Sequence, residues 1–454
     1  MTQFKAIRYL PLSAFFTAYG ITCLVGALPL WGGYGALIDL VEYFSGTKVM
    51  HFDQGQSFRF LCLAIVAPAL FAIGYWVAAR LVNNQALPAK SDSDSEIPTL
   101  YLQSIFYGLA LVAAYQLQKS GMFARLGSWL DYGQWILQRM LLLSKVGYWG
   151  FVNMYTWVPL AAAAIVISPR RTGKFWRYLP VAITLCLAAA MFFKKTVVTA
   201  GILILLAYIL RCYFTRRISD KGLSRALLIG LGLVATFYFA AVVVPSYRTT
   251  STTAEAVLSG TKVSSVVVPA NNVLGISRTV DVAVYSILAP LTRTSVPAMY
   301  YTAVFPEKHA FYGLDFGQDI LGFGGMPDDN RFVWSVMNPA MPDGTVTVPF
   351  QFAFYSQVGL FPTLILCALC GLVVGAAWMR ILQISNISVR CLSATLLTFL
   401  CMHLAIDSLR QVIVSSYGML WGAAFIAMLS GIHRYFGMRT SRTSKIPTSG
   451  FFKK

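Results

Sequence analysis

An all-α polytopic membrane protein is the fold class that this sequence predicts, and three observations lead to that prediction. The 454 residues are 57% hydrophobic and only 12% charged, with a mean hydropathy of +0.65. Apolar runs recur along the chain at roughly the 17 to 25 residues that an α-helix needs to cross hydrocarbon. Lys and Arg concentrate in short segments between some of these runs, as in cytoplasmic loops. A water-soluble domain could not bury this much apolar surface.

The apolar runs predict about ten membrane-spanning helices. They lie near residues 10–31, 58–79, 99–117, 149–168, 178–193, 196–213, 226–245, 359–379, 391–409 and 412–432. The first run follows Lys5 and Arg8, which imitates a signal peptide, but its length predicts an uncleaved span. The basic loops 169–177 and 211–225 are predicted to be cytoplasmic, which places both termini in the cytoplasm.

Composition divides the chain into four regions. Residues 1–245 are predicted to form an N-terminal membrane bundle of about seven spans, with an amphipathic periplasmic helix near 119–147. Residues 246–348 are a long polar segment, predicted to be periplasmic, that contains eight of the 17 acidic residues. Residues 349–432 are predicted to return as membrane helices, and 433–454 are predicted to form a basic cytoplasmic tail. We expect chemistry or recognition in the large periplasmic loop region.

The composition and motifs also argue against several kinds of partner. The net charge of +19 does not predict nucleic-acid binding, because the basic residues concentrate at helix ends and in the tail, where topology and anionic membrane lipid account for them. All eight cysteines lie in or beside predicted spans, which implies no disulfide framework. Cys367 and Cys370 have CxxC spacing inside an apolar helix, which is more typical of packing than of metal binding. GxSxG, P-loop, HExxH and dinucleotide-binding motifs are absent from the sequence. We expect neither metal nor cofactor.

Arg293 is the first candidate for a working residue, and the aromatic pair Tyr300 and Tyr301 follows it at short distance. A guanidinium stays charged at any relevant pH and matches phosphate oxygens through two parallel hydrogen bonds. The alternative is that Arg293 pairs with an acid of the same segment and is structural. Arg139 and Arg248 are second candidates of the same kind.

Lys194 and Lys195 lie between two short apolar runs, at the predicted outer end of a helical hairpin. A charge at this depth is costly and usually serves a purpose. The pair is interpreted either as an anion clamp for a lipid phosphate or as a turn whose side chains reach the headgroups.

His403, Asp407 and Arg410 are spaced at i, i+4 and i+7, which predicts one face of the ninth span near its outer end. This trio is expected either to brace neighbouring helices or to contact substrate.

A general base is sought first at His309, and then at Glu307, Asp315 and Asp319, because all four follow Arg293 at short distance. For each of them the alternative is a solvated loop residue.

In its order of motifs, the chain resembles the Wzy-type O-antigen and polysaccharide repeat-unit polymerases from about residue 119 to residue 428. The motifs that carry this resemblance are Arg139 followed by Gly147-Tyr148, the turn Phe193-Lys194-Lys195, Arg293-Thr-Ser-Val-Pro297, Asn338-Pro339 and the segment 352–360 leading into a span. The chain departs from the Arg-rich paired-loop pattern of some members.

The resemblance implies a GT-C-like helical fold in a bacterial inner membrane. It implies that a glycan on undecaprenyl pyrophosphate is transferred, at the periplasmic face, to the terminal hydroxyl of a lipid-linked repeat unit. The partners would be undecaprenyl-pyrophosphate-linked oligosaccharides, with a chain-length regulator as a further candidate. The essential outer-loop arginines of the family correspond to Arg293, with Arg139 and Arg248 as alternatives. Fixed cations there would stabilise the leaving pyrophosphate.

Two other functions remain open at this point. A sister transferase that moves the same donor onto lipid A core or a pilin would handle its donor alike. A flippase of lipid-linked oligosaccharides belongs to a different class, and it would need a charged pathway across the bilayer midplane. The intramembrane charges of this chain instead cluster towards one face, which favours a transferase.

Overall fold

The computed structural model of this chain describes residues 5–31, 38–39, 42, 53–82, 99–124, 145–168, 173–191, 194–238, 280–281, 284, 292, 294–313, 329–339, 346–415 and 418–443. Every regular element in these ranges is helical, and they contain no strand. Within the same ranges, seven helices are long and apolar enough to cross a membrane. The predicted all-α membrane class is therefore confirmed for the described part of the chain.

The seven candidate spans are Leu10–Ala27, Gln54–Leu81, Thr99–Ser120, Lys145–Ile167, Thr196–Phe214, Leu360–Leu382 and Ile387–Leu404. A further apolar helix, Met419–Ile432, is shorter. The spans predicted near 178–193 and 226–245 correspond to helices Lys174–Ala190 and Asp220–Tyr238, which do not belong to the seven. Both of these helices begin with charged residues.

We number the helices in chain order. They are α1 (Lys5–Arg8), α2 (Leu10–Tyr19), α3 (Val25–Trp31), α4 (Gln54–Leu61), α5 (Ala67–Leu81), α6 (Thr99–Ser120), α7 (Val158–Ile167), α8 (Lys174–Ala190), α9 (Lys194–Phe214), α10 (Asp220–Tyr238), α11 (Ser295–Val304), α12 (Asp329–Met337), α13 (Phe350–Val358), α14 (Leu360–Leu382), α15 (Ile387–Leu404) and α16 (Met419–Thr443).

Short π-helical turns interrupt the α-helical hydrogen bonding. In the described residues they are Gly20–Leu24, Cys62–Val66, Asn153–Trp157 and Gln411–Ser415. A π turn carries one extra residue and disturbs the i to i−4 ladder, so its carbonyl groups can accept hydrogen bonds from elsewhere. Tyr19 Oη donates to the Ala64 carbonyl at 2.9 Å, and Gln351 Nε2 donates to the Leu63 carbonyl at 3.4 Å. The turn Cys62–Val66 is thus a docking point for other helices.

The most extensive contact between described helices joins α5 and α14. Gly371 and Gly375 form a small-xxx-small pair on α14, and Gly74 lies opposite on α5. A Cβ atom on Gly371 would lie 1.9 Å from the Phe71 carbonyl oxygen, and one on Gly74 would lie 2.0 Å from the Ala368 carbonyl oxygen. Only glycine allows two helix backbones to approach so closely. We call these three glycines the glycine seam.

One end of α5 and α14 is closed by the start of the chain. Trp378 Nε1 donates to the Ile7 carbonyl at 3.1 Å, and Tyr75 Oη donates to the Arg8 carbonyl at 2.7 Å. The Arg8 guanidinium in turn donates to the Ala79 carbonyl. We call this the inner end, because the charge pattern predicts that it faces the cytoplasm. The opposite end, where Asp53 caps α4, is called the outer end.

The second half of the bundle is built around α7, which is buried along its whole length and packs against α6, α8 and α9. Arg177 Nε donates at 2.9 Å to the Val166 carbonyl, which satisfies a carbonyl near the C-terminus of α7. α15 contacts α2 on one side and α9 on the other. It therefore joins the two halves of the bundle.

α13 begins inside the bundle and does not cross it. The Phe350 ring lies 6.0 Å from the Phe15 ring and 5.7 Å from the Phe71 ring, measured between centroids, and both partners belong to candidate spans. At the other end of α13, Gly359 has φ +80°, and a Cβ atom there would lie 3.2 Å from the Phe311 ring. Glycine therefore permits the reversal into α14. The two helices form a hairpin in which nine residues re-enter the bundle and twenty-three span it.

Candidate functional site

The candidate site is organised by α11, a ten-residue helix that is buried along its whole length. Pro297 lies in its first turn, where the helix uses no backbone N–H. This proline, expected to break a single long helix, is accommodated near the start of a short one. α11 packs against α3, α4 and the π turn Gly20–Leu24. It therefore lies on the outer parts of the first two spans.

The N-terminal end of α11 is attached to the first span. The Thr294 hydroxyl donates to the carbonyl of Thr22, which belongs to the π turn Gly20–Leu24. Thr292 and Thr294 are only 6% and 2% exposed. Arg293 itself lies outside the described residues. The residues on both sides of the predicted phosphate-binding arginine are therefore buried in the protein.

The C-terminal end of α11 is attached to the second span. The Arg59 guanidinium, on α4, forms an ion pair with Glu307, and the two side chains are 20% and 40% exposed. The turn that carries Glu307 is closed on the end of α11, because the Val304 carbonyl accepts from the backbone N–H groups of Lys308 at 2.7 Å and His309 at 3.2 Å. Both ends of α11 are thus held by polar contacts to spanning helices.

His309 lies in this turn with a defined ring orientation. Its Nδ1 atom is 2.6 Å from the Ala310 carbonyl oxygen, and since a carbonyl can only accept, Nδ1 carries the proton. The ring also packs against Tyr312 and Phe332, at centroid distances of 4.6 and 4.7 Å, and against Phe305 at 5.6 Å. In its neutral form His309 therefore presents Nε2 as the acceptor nitrogen, which is the tautomer that a general base needs.

A buried network of polar side chains joins the helices around the site. Tyr301 Oη donates to Asn330 Oδ1 at 2.7 Å, and Ser356 Oγ donates to Asp329 Oδ2 at 2.7 Å. The Asn330 backbone N–H donates to Asp329 Oδ1 at 2.8 Å. These contacts tie together α11, α12 and α13, which we call the outer layer. Tyr355 adds a third link between segments, since its hydroxyl, on α13, donates to the Phe305 carbonyl at 2.6 Å.

The aromatic pair predicted to bind substrate is buried, with Tyr300 3% and Tyr301 0% exposed. Burial, together with a smaller contribution from the nearby Glu42 carboxylate, raises the pKa of Tyr300 to about 12. Burial also raises the pKa of Tyr355 to about 12, with smaller opposing effects from Arg59, which lowers it, and Glu307, which raises it. Both phenols therefore stay protonated at neutral pH, and the Tyr355 hydroxyl donates its proton to the Phe305 carbonyl.

The predicted trio on the ninth span does not lie on one continuous helix. α15 ends at Leu404, and the His403 carbonyl accepts from the backbone N–H groups of Ile406 at 3.0 Å and Asp407 at 2.8 Å. Arg410 belongs to the next helical segment. The interpretation of one helical face at i, i+4 and i+7 is therefore wrong, because a turn intervenes. The turn nevertheless keeps His403 and Asp407 together, with Nδ1 3.9 Å from Oδ2 and both side chains buried.

Tyr148, one of the residues that carry the family resemblance, links helices far apart in the chain. Its hydroxyl donates to the Val414 carbonyl at 2.6 Å and accepts from Trp421 Nε1 at 2.5 Å. Trp157 Nε1 donates to the Trp421 carbonyl at 3.1 Å. Tyr148 thus attaches the helix that ends in α7 to the segment that follows Arg410.

Several predicted site residues fall outside the described part of the chain. Arg293, Arg139, Arg248, Asp315 and Asp319 are outside it, as is most of the amphipathic helix predicted near 119–147. Lys194 and Lys195 begin α9, and their side chains lie outside the description. Of the predicted residues, the structure brings Glu307, His309, Tyr300 and Tyr301 together around α11. It places His403 and Asp407 in a separate buried contact.

Sequence reasoning missed the residues that hold the site. Arg59 was absorbed into an apolar span, although a charge six residues after the capping aspartate Asp53 is a usable signal. Asp329 and Asn330 had no signal beyond their polarity in a region rich in turn residues, and Ser356 had none beyond its place in the segment 352–360. In the described ranges, no group of three or more His, Cys, Asp or Glu residues is arranged to hold a metal ion.

Comparison of the chain with protein-family models, with curated proteins and with solved structures finds no significant match.

Proposed function

We propose that this protein is a membrane glycosyltransferase that polymerises glycan repeat units carried on undecaprenyl pyrophosphate, at the periplasmic face of a bacterial inner membrane. The observation that carries the proposal is the double attachment of α11. Arg293 precedes the buried N-terminal end of this helix, and His309 follows its C-terminal end, in the base-competent tautomer. A cation for a diphosphate and a base for a hydroxyl are the two groups that the reaction requires.

In the proposed reaction, the acceptor hydroxyl oxygen attacks the anomeric carbon of the donor sugar. The bond from that carbon to the pyrophosphate oxygen breaks, and the hydroxyl proton moves to Nε2 of His309. The lipid diphosphate leaves with additional negative charge, which Arg293 stabilises together with Lys194 and Lys195. Bonds formed and broken balance without an oxidant, a nucleotide or a metal ion.

The two ends of α11 have separate tasks in this scheme. An α-helix of ten residues is about 15 Å long, so the side chains of Arg293 and His309 would have to converge on one anomeric carbon from places at its two ends. The attachments of both ends to the first two spans would hold these places at a fixed separation. A fixed separation matters because loss of alignment between reacting groups is costly in rate.

The test uses purified protein, reconstituted in lipid vesicles and supplied with a single lipid-linked repeat unit. We expect the wild type to produce a ladder of chain lengths. Arg293→Ala should abolish long chains, and His309→Ala should lower kcat by about 10²–10⁴-fold, because each removes a group that acts on the reacting bond. Lys308→Ala is the matched control, since Lys308 is exposed beside His309, and it should leave the ladder unchanged.

The outcomes separate this proposal from its rivals. Normal ladders in both Arg293→Ala and His309→Ala would end the polymerase assignment. A single transfer that occurs only when lipid A core or a pilin is supplied would assign the chain to the ligases or pilin transferases. Movement of the lipid-linked oligosaccharide across the vesicle membrane without any transfer would assign it to the flippases.

A further inference from the structure

The most informative contact that the proposed reaction does not use is the ion pair between Arg59 and Glu307. The two residues are 248 positions apart in the chain, and they join the second span to the turn after α11. Arg59 lies between Asp53, which caps α4, and the π turn Cys62–Val66. It is therefore fixed in a regular part of the membrane bundle, while Glu307 belongs to an irregular segment.

Glu307 is connected to His309 through a short, hydrogen-bonded stretch of backbone. The Val304 carbonyl accepts from the N–H groups of Lys308 and His309, so the turn moves as one unit with the end of α11. Tyr355 contacts the same unit, because its hydroxyl donates to the Phe305 carbonyl. A displacement of Glu307 would therefore carry the His309 ring with it.

The pair is too exposed to contribute much to stability. Side-chain exposures of 20% and 40% leave both charges in contact with solvent, and ion pairs of this kind contribute little to the free energy of unfolding. The buried hydrogen bonds of Tyr301 and Ser356 join α11, α12 and α13 without involving either charge. The pair has a small effect on stability and a direct connection to His309. We therefore expect it to affect the position of the His309 ring.

We infer that Arg59 is a positioning residue for glycan transfer. By holding Glu307, it fixes the turn 305–309 and places Nε2 of His309 against the acceptor hydroxyl. This role rests on the proposed function. It goes beyond it by assigning a part in the reaction to a residue of the second span, outside the periplasmic segment, and by assigning Glu307 to orientation rather than to proton transfer.

The experiment compares kcat, KM for the lipid-linked repeat unit and the midpoint of thermal unfolding in four variants of the full chain. Arg59→Ala should lower kcat by about tenfold to a hundredfold through misplacement of the base, with KM and the unfolding midpoint close to wild type. Arg59→Lys keeps the positive charge, so its kcat should fall less than that of Arg59→Ala. The double exchange Arg59→Glu with Glu307→Arg restores an opposite-charge pair and should recover much of the kcat lost in Arg59→Ala.

The matched control is Arg80→Ala. Arg80 lies towards the inner end of the same span, where its guanidinium stacks over the Trp76 ring at 3.9 Å, far along the helix from Glu307. This variant should keep wild-type kcat. It separates loss of a particular ion pair from loss of any arginine in this span.

Each outcome has a defined meaning. A wild-type kcat in Arg59→Ala, or a double exchange whose kcat is no higher than that of Arg59→Ala, overturns the positioning role while the polymerase assignment stands. A fall in kcat accompanied by an equal loss of folded protein in both Arg59→Ala and Arg59→Lys shows a structural role and also overturns it. A wild type that makes no chains from the lipid-linked unit overturns the proposed function, and this role falls with it.

Discussion

The glycine seam and the outer layer hold helices together by different means. In the seam, three glycines bring the backbones of α5 and α14 so close that an added Cβ atom would lie 1.9, 2.0 or 2.7 Å from a carbonyl oxygen. In the outer layer, side-chain donors such as Tyr301 and Thr294 reach acceptors on other helices. Close packing of backbones holds the helices of the seam, and directional hydrogen bonds between side chains and their acceptors hold those of the outer layer.

The difference follows from the surroundings of each region. Two apolar helices in lipid gain nothing from the hydrophobic effect when they associate, so close packing between small residues has to supply the attraction. The short helices α11 and α13 contain many polar groups that must be paired once they are buried. Close packing of small residues fixes the positions of the helices, and paired polar groups fix the orientation of side chains. A site for chemistry is therefore expected in the outer layer and not at the seam.

The largest loss of stability is expected when a single methyl group is added to a glycine of the seam. Gly371→Ala would place a Cβ atom 1.9 Å from the Phe71 carbonyl oxygen, so the backbones must separate. We expect a loss of about 1–3 kcal/mol or more in unfolding free energy. The measurement is the thermal unfolding midpoint and the fraction of monodisperse protein in detergent.

Gly108→Ala is the matched control for this change. Gly108 lies inside α6, where an added Cβ meets no atom within 4 Å among the described residues. Because alanine is the better helix former by about 1 kcal/mol, this variant should be as stable as the wild type or more so. Equal destabilisation by both substitutions would show that the seam does not depend on close approach.

An intermediate loss of stability is expected when one hydrogen bond of the outer layer is removed. Tyr301→Phe removes the donor to Asn330 Oδ1 and leaves a buried acceptor without that bond, at a cost of about 1–3 kcal/mol. The thermal midpoint should fall. Tyr115→Phe, at a phenol that is 67% exposed, should leave it unchanged. If Tyr301→Phe is as stable as wild type, the outer layer is held by packing and the contrast with the seam is lost.

The smallest effect is a dependence of protein stability on alkaline pH, to which two buried tyrosines of the outer layer contribute. Burial raises the pKa of Tyr300 and Tyr355 to about 12, whereas unfolded tyrosine ionises near pH 10. Their contribution to stability is therefore complete below about pH 10 and is lost as pH rises towards about 12. Unfolding midpoints measured from pH 8 to 11 should fall at the alkaline end. Tyr355→Phe should flatten that fall, and an unchanged slope would contradict the assignment.

Much of the membrane architecture is predictable from apolar run length, because hydrocarbon forces long helices wherever such runs occur. The span near 58–79 appears inside Gln54–Leu81, and the span near 391–409 appears as Ile387–Leu404. The helix ends are less predictable, since local hydrogen bonds decide them. The trio at His403 shows this, because two backbone N–H groups on one carbonyl end the helix before Asp407. The seam could have been found from Gly371 and Gly375, four residues apart.

The candidate site is only partly predictable. His309 and Glu307 could be nominated, because they follow Arg293 at short distance in the polar segment predicted to be periplasmic. The partner of Glu307 could not, since Arg59 is 248 positions away and lies in a run that reads as apolar. The orientation of His309 depends on the carbonyl of its own neighbour, Ala310, and on rings brought from α12. Neither feature has a periodic signal in one sequence.

The π turn at Cys62–Val66 has a consequence for the rotational phase of the second span. Its extra residue turns everything before it by about 100° around the helix axis relative to an uninterrupted helix. Deleting one residue there would leave α5 seated against α14 and would swing Arg59 round the axis, away from Glu307. The direction in which the Arg59 side chain points thus depends on one extra residue in the apolar π turn Cys62–Val66.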